Sequence, residues 1–311
     1  MSSTTNSSIT HPFTFNARSS PHSNKHTNTN SDNNGTTCTT ATDSLTSIYG
    51  DGESHSISTV DIQLYNDIVD ASYEHPYILE GVNVIIDSIS RYKLEHCALS
   101  FNGGKDCTVL LHLLRAALGK LGMHISDLTI LYFKVENEFV EIEEFMAQCG
   151  NLYNLHLTTV EGNFCNALQL IFAERKAGHL PDIRAIFMGQ RRYDPYCMDM
   201  TTETASDEQE GWPAFHRINV LLDWTYEQIW QFLRLFDLPY CRLYDEGYTS
   251  IGNTLDSVPN PLLYDASTQS YKAAYHLQDD SKERCGRKEK ERTPSRSASI
   301  ANGVHINGIK S

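Results

Sequence analysis

"CALSFNGGKDCTVLLHLLRAALGKLG", residues 97–122, runs from a short apolar stretch through two glycines, a lysine and an aspartate into a long apolar one. The first part, "CALSF" (97–101), has the length and composition of a buried strand. The last part, "CTVLLHLLRAALGKLG" (107–122), sets Val109, Leu110, Leu113, Leu114, Ala117 and Leu121 on one face and stops at Gly122, as a helix does. The glycines, the cation and the anion therefore stand where a strand turns into a helix.

The same alternation continues on both sides. "VNVIIDSISRY" (82–92) has helical spacing and precedes the strand. After residue 122 come "LTILYFKV" (128–135, strand), "FVEIEEFMAQCG" (139–150, helix), "NLHLTTV" (154–160, strand), "FCNALQLIFAERKAG" (164–178, helix) and "IRAIFMG" (183–189, strand). Strands apolar on both sides, separated by helices, predict an α/β fold with a doubly wound, mainly parallel sheet and helices on both faces. Ligands of such sheets bind beyond the carboxyl ends of the strands. No internal repeat is present.

Composition bounds the rest. Of 311 residues, 40% are hydrophobic and 21% charged, and no apolar run approaches the roughly 20 residues of a membrane span. The formal net charge of −14 argues against general affinity for nucleic acid or anionic membrane. Phosphorylated substrates would need positive charge concentrated at the site. The eight cysteines (Cys38, Cys97, Cys107, Cys149, Cys165, Cys197, Cys241 and Cys285) are widely spaced with no CxxC pair. That pattern suits reduced thiols and a cytoplasmic location. The first thirty residues lack acids, as a mitochondrial transit peptide would. They carry only Arg18 and Lys25 as fixed cations and no amphipathic period. Residues 1–55, rich in Ser, Thr and Asn, and residues 289–311 are expected to be disordered tails around one domain at 56–288.

Residue chemistry at the opening junction allows two readings. Glycines permit close approach of backbone to a ligand, and free N–H groups at a helix start cradle anions. Lys105 adds a charge for phosphate, and Asp106 suits an accompanying metal ion. The plainer alternative is a βα turn with a helix-capping aspartate. GxxxxGK[ST] is absent, so the loop is not a Walker A loop.

"SFNGGKD" (100–106) resembles the PP-loop of the ATP pyrophosphatase and PAPS-reductase-like group, and its Phe-Asn resembles the branch of eukaryotic FMN adenylyltransferases, the FAD synthases. "MGQRRYDPYC" (188–197) resembles that branch's flavin-side motif. Taken alone it is also a surface loop with a turn-forming Asp194-Pro195. "LYDEGYTSIG" (243–252) resembles a signature of the wider group, and "SKERCGRKEK" (281–290) the branch's closing Glu-Arg-x-Gly-Arg, though on composition it is a basic surface tail. The helix after Thr225, with Ile229, Trp230, Leu233 and Phe236 on one face, reads as core. Val220 and Asn253 depart from the pattern, which has proline and glycine there. The acidic segment 199–210 reads as a flexible loop without counterpart.

The resemblance implies adenylyl transfer from ATP to FMN, giving FAD and pyrophosphate. It implies ATP contacts at Ser100, Phe101, Asn102, Gly103, Gly104, Lys105, Asp106, Val135 and Glu136, with Mg²⁺ on Asp106. It implies flavin-side contacts at Gly189, Arg191, Asp194, Pro195, Tyr196, Arg217, Arg284 and Arg287, and catalytic roles for Asn102, Lys105, Asp106 and Arg284. The phosphate of FMN is already ionised near pH 7, so no general base is required. FMN is expected from elsewhere, with no riboflavin kinase-like domain, no nucleic acid or membrane and no obligate protein partner. The alternatives are a PAPS-type sulfonucleotide reductase, for which Cys285 is placed as a nucleophile, and a non-catalytic flavin-nucleotide carrier.

Overall fold

The computed structural model describes residues 59–161, 164–178 and 180–288, together with the backbone of a short strand at 306–307. The tail expectation for residues 1–55 lies outside the described residues, as does most of 289–311.

Two helices lead in. α1 (Thr59–Ala71) buries Leu64 and Ile68, one turn apart, and α2 (Pro76–Tyr92) starts at a proline, whose missing N–H costs nothing at a first helical position. β1 (Cys97–Ser100) feeds α3 (Lys105–Leu121), which ends on left-handed Gly122 at φ 71°. β2 (Thr129–Lys134), α4 (Val140–Tyr153), β3 (Leu157–Glu161), α5 (Phe164–Ala177) and β4 (Ala185–Phe187) follow in the expected alternation. β5 (Glu203–Ala205), β6 (His216–Ile218) and α6 (Tyr226–Leu235) extend the sheet and its cover. β7 (Tyr264–Asp265) and β8 (Ser270–Tyr271) form a separate two-stranded ribbon.

Among the described residues the main sheet runs β5-β6-β4-β1-β2-β3-β9, where β9 is Ile306–Asn307. The inner five strands are mutually parallel; β5 and β9 close the edges antiparallel. β1 continues through α3 to β2 on one side, and β4 lies on its other side, so the strand order reverses between β1 and β4. That reversal point is where open α/β sheets bind ligands.

The crossovers put α3 and α4 on one face and α5 on the other. Leu99, Ile130 and Phe187 pack with the α2, α3, α4 and α6 side chains, while Ala98, Leu131, Val160 and Ile186 pack with Ala167, Leu168 and Ile171 of α5. Alternate residues of each strand thus enter opposite layers, as the period of a strand requires.

Several boundaries differ from the sequence reading. α3 begins at Lys105, so Lys105 and Asp106 belong to its first turn; Asp106 is no cap, because Gly104 holds the cap position without a side-chain bond. The strand expected from 154 starts at 157, since Asn154 takes a left-handed conformation (φ 52°) to end α4. The segment 199–210, expected as a flexible loop, contains β5 and a short 3-10 turn capped by Asp207. Glu203 on β5 is held by Arg91 and Tyr92 from α2, which fixes this edge.

Candidate active site

Lys105 and Asp106 rise from the first turn of α3, at the carboxyl end of β1. The residue before them, Gly104, follows Gly103, whose φ of 71° is cheap only for glycine. Asn102 folds back so that its Oδ1 accepts the Gly104 N–H at 3.1 Å, and the Lys105 N–H donates to the Tyr244 hydroxyl at 2.8 Å. The Lys105 ammonium lies over the rings of Tyr226 (5.3 Å) and Tyr244 (5.9 Å), where cation–π attraction adds to its ion pairs.

From the next strand of the sheet, β4, the chain passes Gly189 and delivers Arg191. Asp194 turns the loop by accepting the Arg191 N–H at 2.8 Å, while its own N–H donates to the Arg191 carbonyl at 2.9 Å. This turn aims the Arg191 side chain at α3. Arg191 Nε stands 2.7 Å from Asp106 Oδ1 as an ion pair, without hydrogen-bond alignment. Lys105 Nζ lies 3.0 Å from Asp106 Oδ2.

The fourth charge comes from far along the chain. Glu283 lies in a 3-10 segment (Asp280–Gly286) and accepts from Lys105 Nζ at 2.5 Å and from Arg191 Nη2 at 2.5 and 2.6 Å. Two cations and two carboxylates therefore alternate in a nearly closed cluster. Side-chain exposure is 3% for Lys105, 5% for Arg191, 14% for Glu283 and 20% for Asp106.

Burial alone would neutralise these groups, and their partners keep them ionised. Burial pulls the Lys105 ammonium down, but Asp106 and Glu283 more than offset it and leave its pKa raised. Burial pushes the Asp106 carboxyl up, but Lys105 and Arg191 hold it below the usual carboxylate range. Asp194 moves the other way: burial and the neighbouring Asp106 charge raise it. Cys107, behind the loop, is pushed up to about 12, chiefly by burial, and so stays a thiol.

The structure brings Lys105, Asp106, Arg191 and Asp194 together, with Asn102, Gly103 and Gly104 shaping the turn. Ser100 ends β1, while Phe101 is 1% exposed and packs in the core, so its side chain faces away from a ligand. Val135 and Glu136 are exposed just past β2. Tyr196 is 92% exposed with φ 69°, beside exposed Pro195. Arg217 stacks on Trp212 at 5.3 Å from β6, apart from the charge cluster. Arg287 pairs with Asp256 at 3.2 Å, and Arg284 is exposed with no ion pair among the described residues. Of the closing motif it is thus Glu283, unassigned from sequence, that reaches the cluster.

The two departures also resolve. Val220 is buried against Gly81 of α2, where an apolar side chain fills the layer. Asn253 replaces a turn glycine by capping the turn itself: its Oδ1 accepts the N–H groups of Leu255 and Asp256, and its own N–H donates to Asp256 Oδ1.

Residues 96–259 match the phosphoadenosine phosphosulfate reductase domain family. A probable FAD synthase of Schizosaccharomyces pombe is 36% identical over 201 residues, 63% of this chain and 73% of that protein. A probable FAD synthase of Caenorhabditis elegans is 36% identical over 211 residues, 67% of this chain, which spans 40% of that longer relative. The fold is shared with Candida glabrata FMN adenylyltransferase at a TM-score of 0.66 and 23% identity, covering 75% of this chain and 97% of that one.

Proposed function

Because the chain belongs to the phosphoadenosine phosphosulfate reductase domain family, alongside its FAD synthases, we propose that it is an FMN adenylyltransferase. It transfers AMP from ATP to FMN and releases FAD and pyrophosphate. An oxygen of the FMN phosphate attacks the α-phosphorus of ATP, and the bond from that phosphorus to the bridging oxygen breaks with its electrons leaving on pyrophosphate.

One observation carries this reading. Lys105 and Asp106, after β1, meet Arg191 and Asp194, after β4, at the reversal of strand order. Two loops from adjacent strands then meet at one place, one with the charge for a polyphosphate and the other with the charge and turn for a second phosphorylated substrate. Joining two polyanions is a problem of positioning and charge neutralisation, which buried, pre-oriented cations solve. This reading assigns Val135 and Glu136, exposed beyond β2, to the adenine side and the exposed Tyr196 loop to the flavin side.

Magnesium enters the proposal through Asp106. Its Oδ1 is buried and, beyond the Arg191 ion pair at 2.7 Å, has no aligned hydrogen bond. Such a site fits an ion held by one carboxylate and the substrate phosphates. Bound there, it would neutralise charge on the leaving pyrophosphate. The spacing of the cysteines supports a reducing, cytosol-like compartment for the enzyme.

The test is to incubate the purified chain with ATP, Mg²⁺ and FMN and follow FAD by chromatography, with Asp106→Ala as control. FAD from the wild type alone supports the reading. Binding of FMN without turnover overturns it in favour of a flavin-nucleotide carrier. Sulfonucleotide reduction that disappears in Cys285→Ser would favour a reductase.

A further inference from the structure

Glu283 occupies the place that the proposed function assigns to a phosphate. Its Oε1 accepts from Lys105 Nζ and Arg191 Nη2 together, at 2.5 and 2.6 Å. One oxygen shared by an ammonium and a guanidinium is the arrangement a phosphate oxygen makes with the same two groups. The charge balance agrees. Lys105 and Arg191 are almost fully buried like charges, and Asp106 supplies one of the two carboxylates ion-paired with both, Asp194 bonding the Arg191 backbone N–H instead. Glu283 supplies the other. A phosphate arriving while Glu283 stays would leave excess negative charge in a closed site, at a large desolvation cost.

The segment is built so that the side chain can leave without its backbone. The Glu283 carbonyl accepts from Thr249 Oγ1 at 2.6 Å, and the Lys282 carbonyl from the fully buried Asn260 at 2.9 Å. The Val258 N–H donates to the Gly286 carbonyl at 2.9 Å. None of these anchors uses the Glu283 carboxylate, so a change of rotamer suffices to vacate the two cations.

We infer that Glu283 is a positioning residue that stands in for a substrate phosphate oxygen, keeping Lys105 and Arg191 in place until a nucleotide phosphate displaces it. The inference rests on the phosphate-binding reading above. Its consequence is a competition: the carboxylate weakens polyphosphate binding and re-enters as pyrophosphate departs.

The experiment is calorimetric titration of inorganic pyrophosphate with Mg²⁺ into the full chain, as wild type, Glu283→Gln, Glu283→Asp and Lys105→Ala. Glu283→Gln should bind pyrophosphate about tenfold tighter than wild type, the equivalent of one charge-assisted contact no longer competed away. It should also melt lower without ligand and gain more on ligand addition. Glu283→Asp, which withdraws the carboxylate by one methylene, should shift binding in the same direction by less, and serves where Glu283→Gln does not fold. A purely structural role would weaken both stability and binding. Unchanged or weaker binding in the Glu283 variants, with Lys105→Ala abolishing it, overturns the inference and leaves the phosphate reading intact. Pyrophosphate binding that is absent in the wild type and the Glu283 variants alike, or indifferent to Lys105→Ala, overturns both.

Discussion

Gly189 lies against the first turn of α3 so closely that a Cβ on it would stand 2.8 Å from the backbone nitrogen of Cys107 and 3.0 Å from its Cα. This contact brings the chain leaving β4 onto the helix that carries Lys105 and Asp106. Glycine is needed here for space, and backbone atoms cannot swing aside as a flexible side chain would. Gly189→Ala should therefore cost about 1–3 kcal/mol of stability through overpacking and weaken ATP binding by pushing Arg191 off Asp106. Gly150→Ala, with nothing within 4 Å of the added carbon on α4, is the control and should hold or raise stability. Thermal melts and ATP titrations of the two variants check this.

Asp106→Asn tests the cluster from its anionic side. The amide keeps the shape but leaves Lys105 and Arg191 to share Glu283 alone. Breaking a buried pair costs about 3–5 kcal/mol, and partial solvent access at Asp106 argues for the lower end. FAD formation should fall below detection. The acid limb of stability should change as well. The folded-state pKa of Asp106 is lowered from 3.8, so its contribution is present above that value and is lost as pH falls through the folded one. Acid melts of wild type and variant should thus begin to draw together only as pH falls below about 4.

His112 governs a different range. It is fully buried on α3, with Nδ1 facing Arg115 Nη1 at 2.9 Å; Arg115 in turn donates to Asp61 at 2.6 Å and stacks on Tyr153. Burial, then the Arg115 charge, holds its pKa well below 6.5. Below that pH the unfolded chain takes up a proton that the folded chain refuses, so stability should fall with acidification by up to about 1.4 kcal/mol per pH unit. His112→Gln should remove that slope between pH 6.5 and 5 while the deeper acid limb remains. Denaturant unfolding at half-unit steps of pH measures it, and an unchanged slope would contradict the assignment.

The junction from β1 into α3 could be read from sequence because its signals are local: apolar residues, then glycines, then helical spacing. The same holds for Thr225, whose Oγ1 accepts the Gln228 N–H while the Gln228 side chain accepts from Thr225 N–H, a capping box. Glu283 could not be read. It sits in a basic run between Lys282 and Arg284, and its partner Lys105 is 178 residues away, so nothing near it in sequence marks it as buried. The arginines beside it were better candidates by charge, yet the 3-10 turn points Arg284 to solvent. β5 escaped notice for a similar reason, being two polar residues and an alanine whose strand character comes entirely from pairing with β6.

Thr225 also links that capping box to the site. The next N–H, of Tyr226, donates to Asp280 Oδ2 at 3.1 Å, so the start of α6 holds the start of the segment carrying Glu283. Thr225→Ala should cost about 1 kcal/mol, the usual value of a lost helix cap. Asp280→Ala should cost less in stability but loosen Glu283. Protection of the Asn260–Glu283 region in hydrogen exchange should drop in Asp280→Ala and not in Gln63→Ala on the exposed face of α1.

Arg191→Lys separates charge from shape. Arg191 reaches Asp106 through Nε and both Glu283 oxygens through Nη2, a fork that a single ammonium cannot reproduce. The variant keeps the net charge of the cluster, so overall stability should drop by only about 1–3 kcal/mol, the range for one charge-assisted hydrogen bond. Orientation of the second phosphorylated substrate should suffer more. With ATP and FMN as substrates, kcat should fall at least about tenfold, and the KM for ATP should rise as well, because Arg191 shares with Lys105 the oxygen site assigned to a nucleotide phosphate. An unchanged KM for ATP, with the loss confined to kcat and the KM for FMN, would mean that Arg191 serves the flavin side alone.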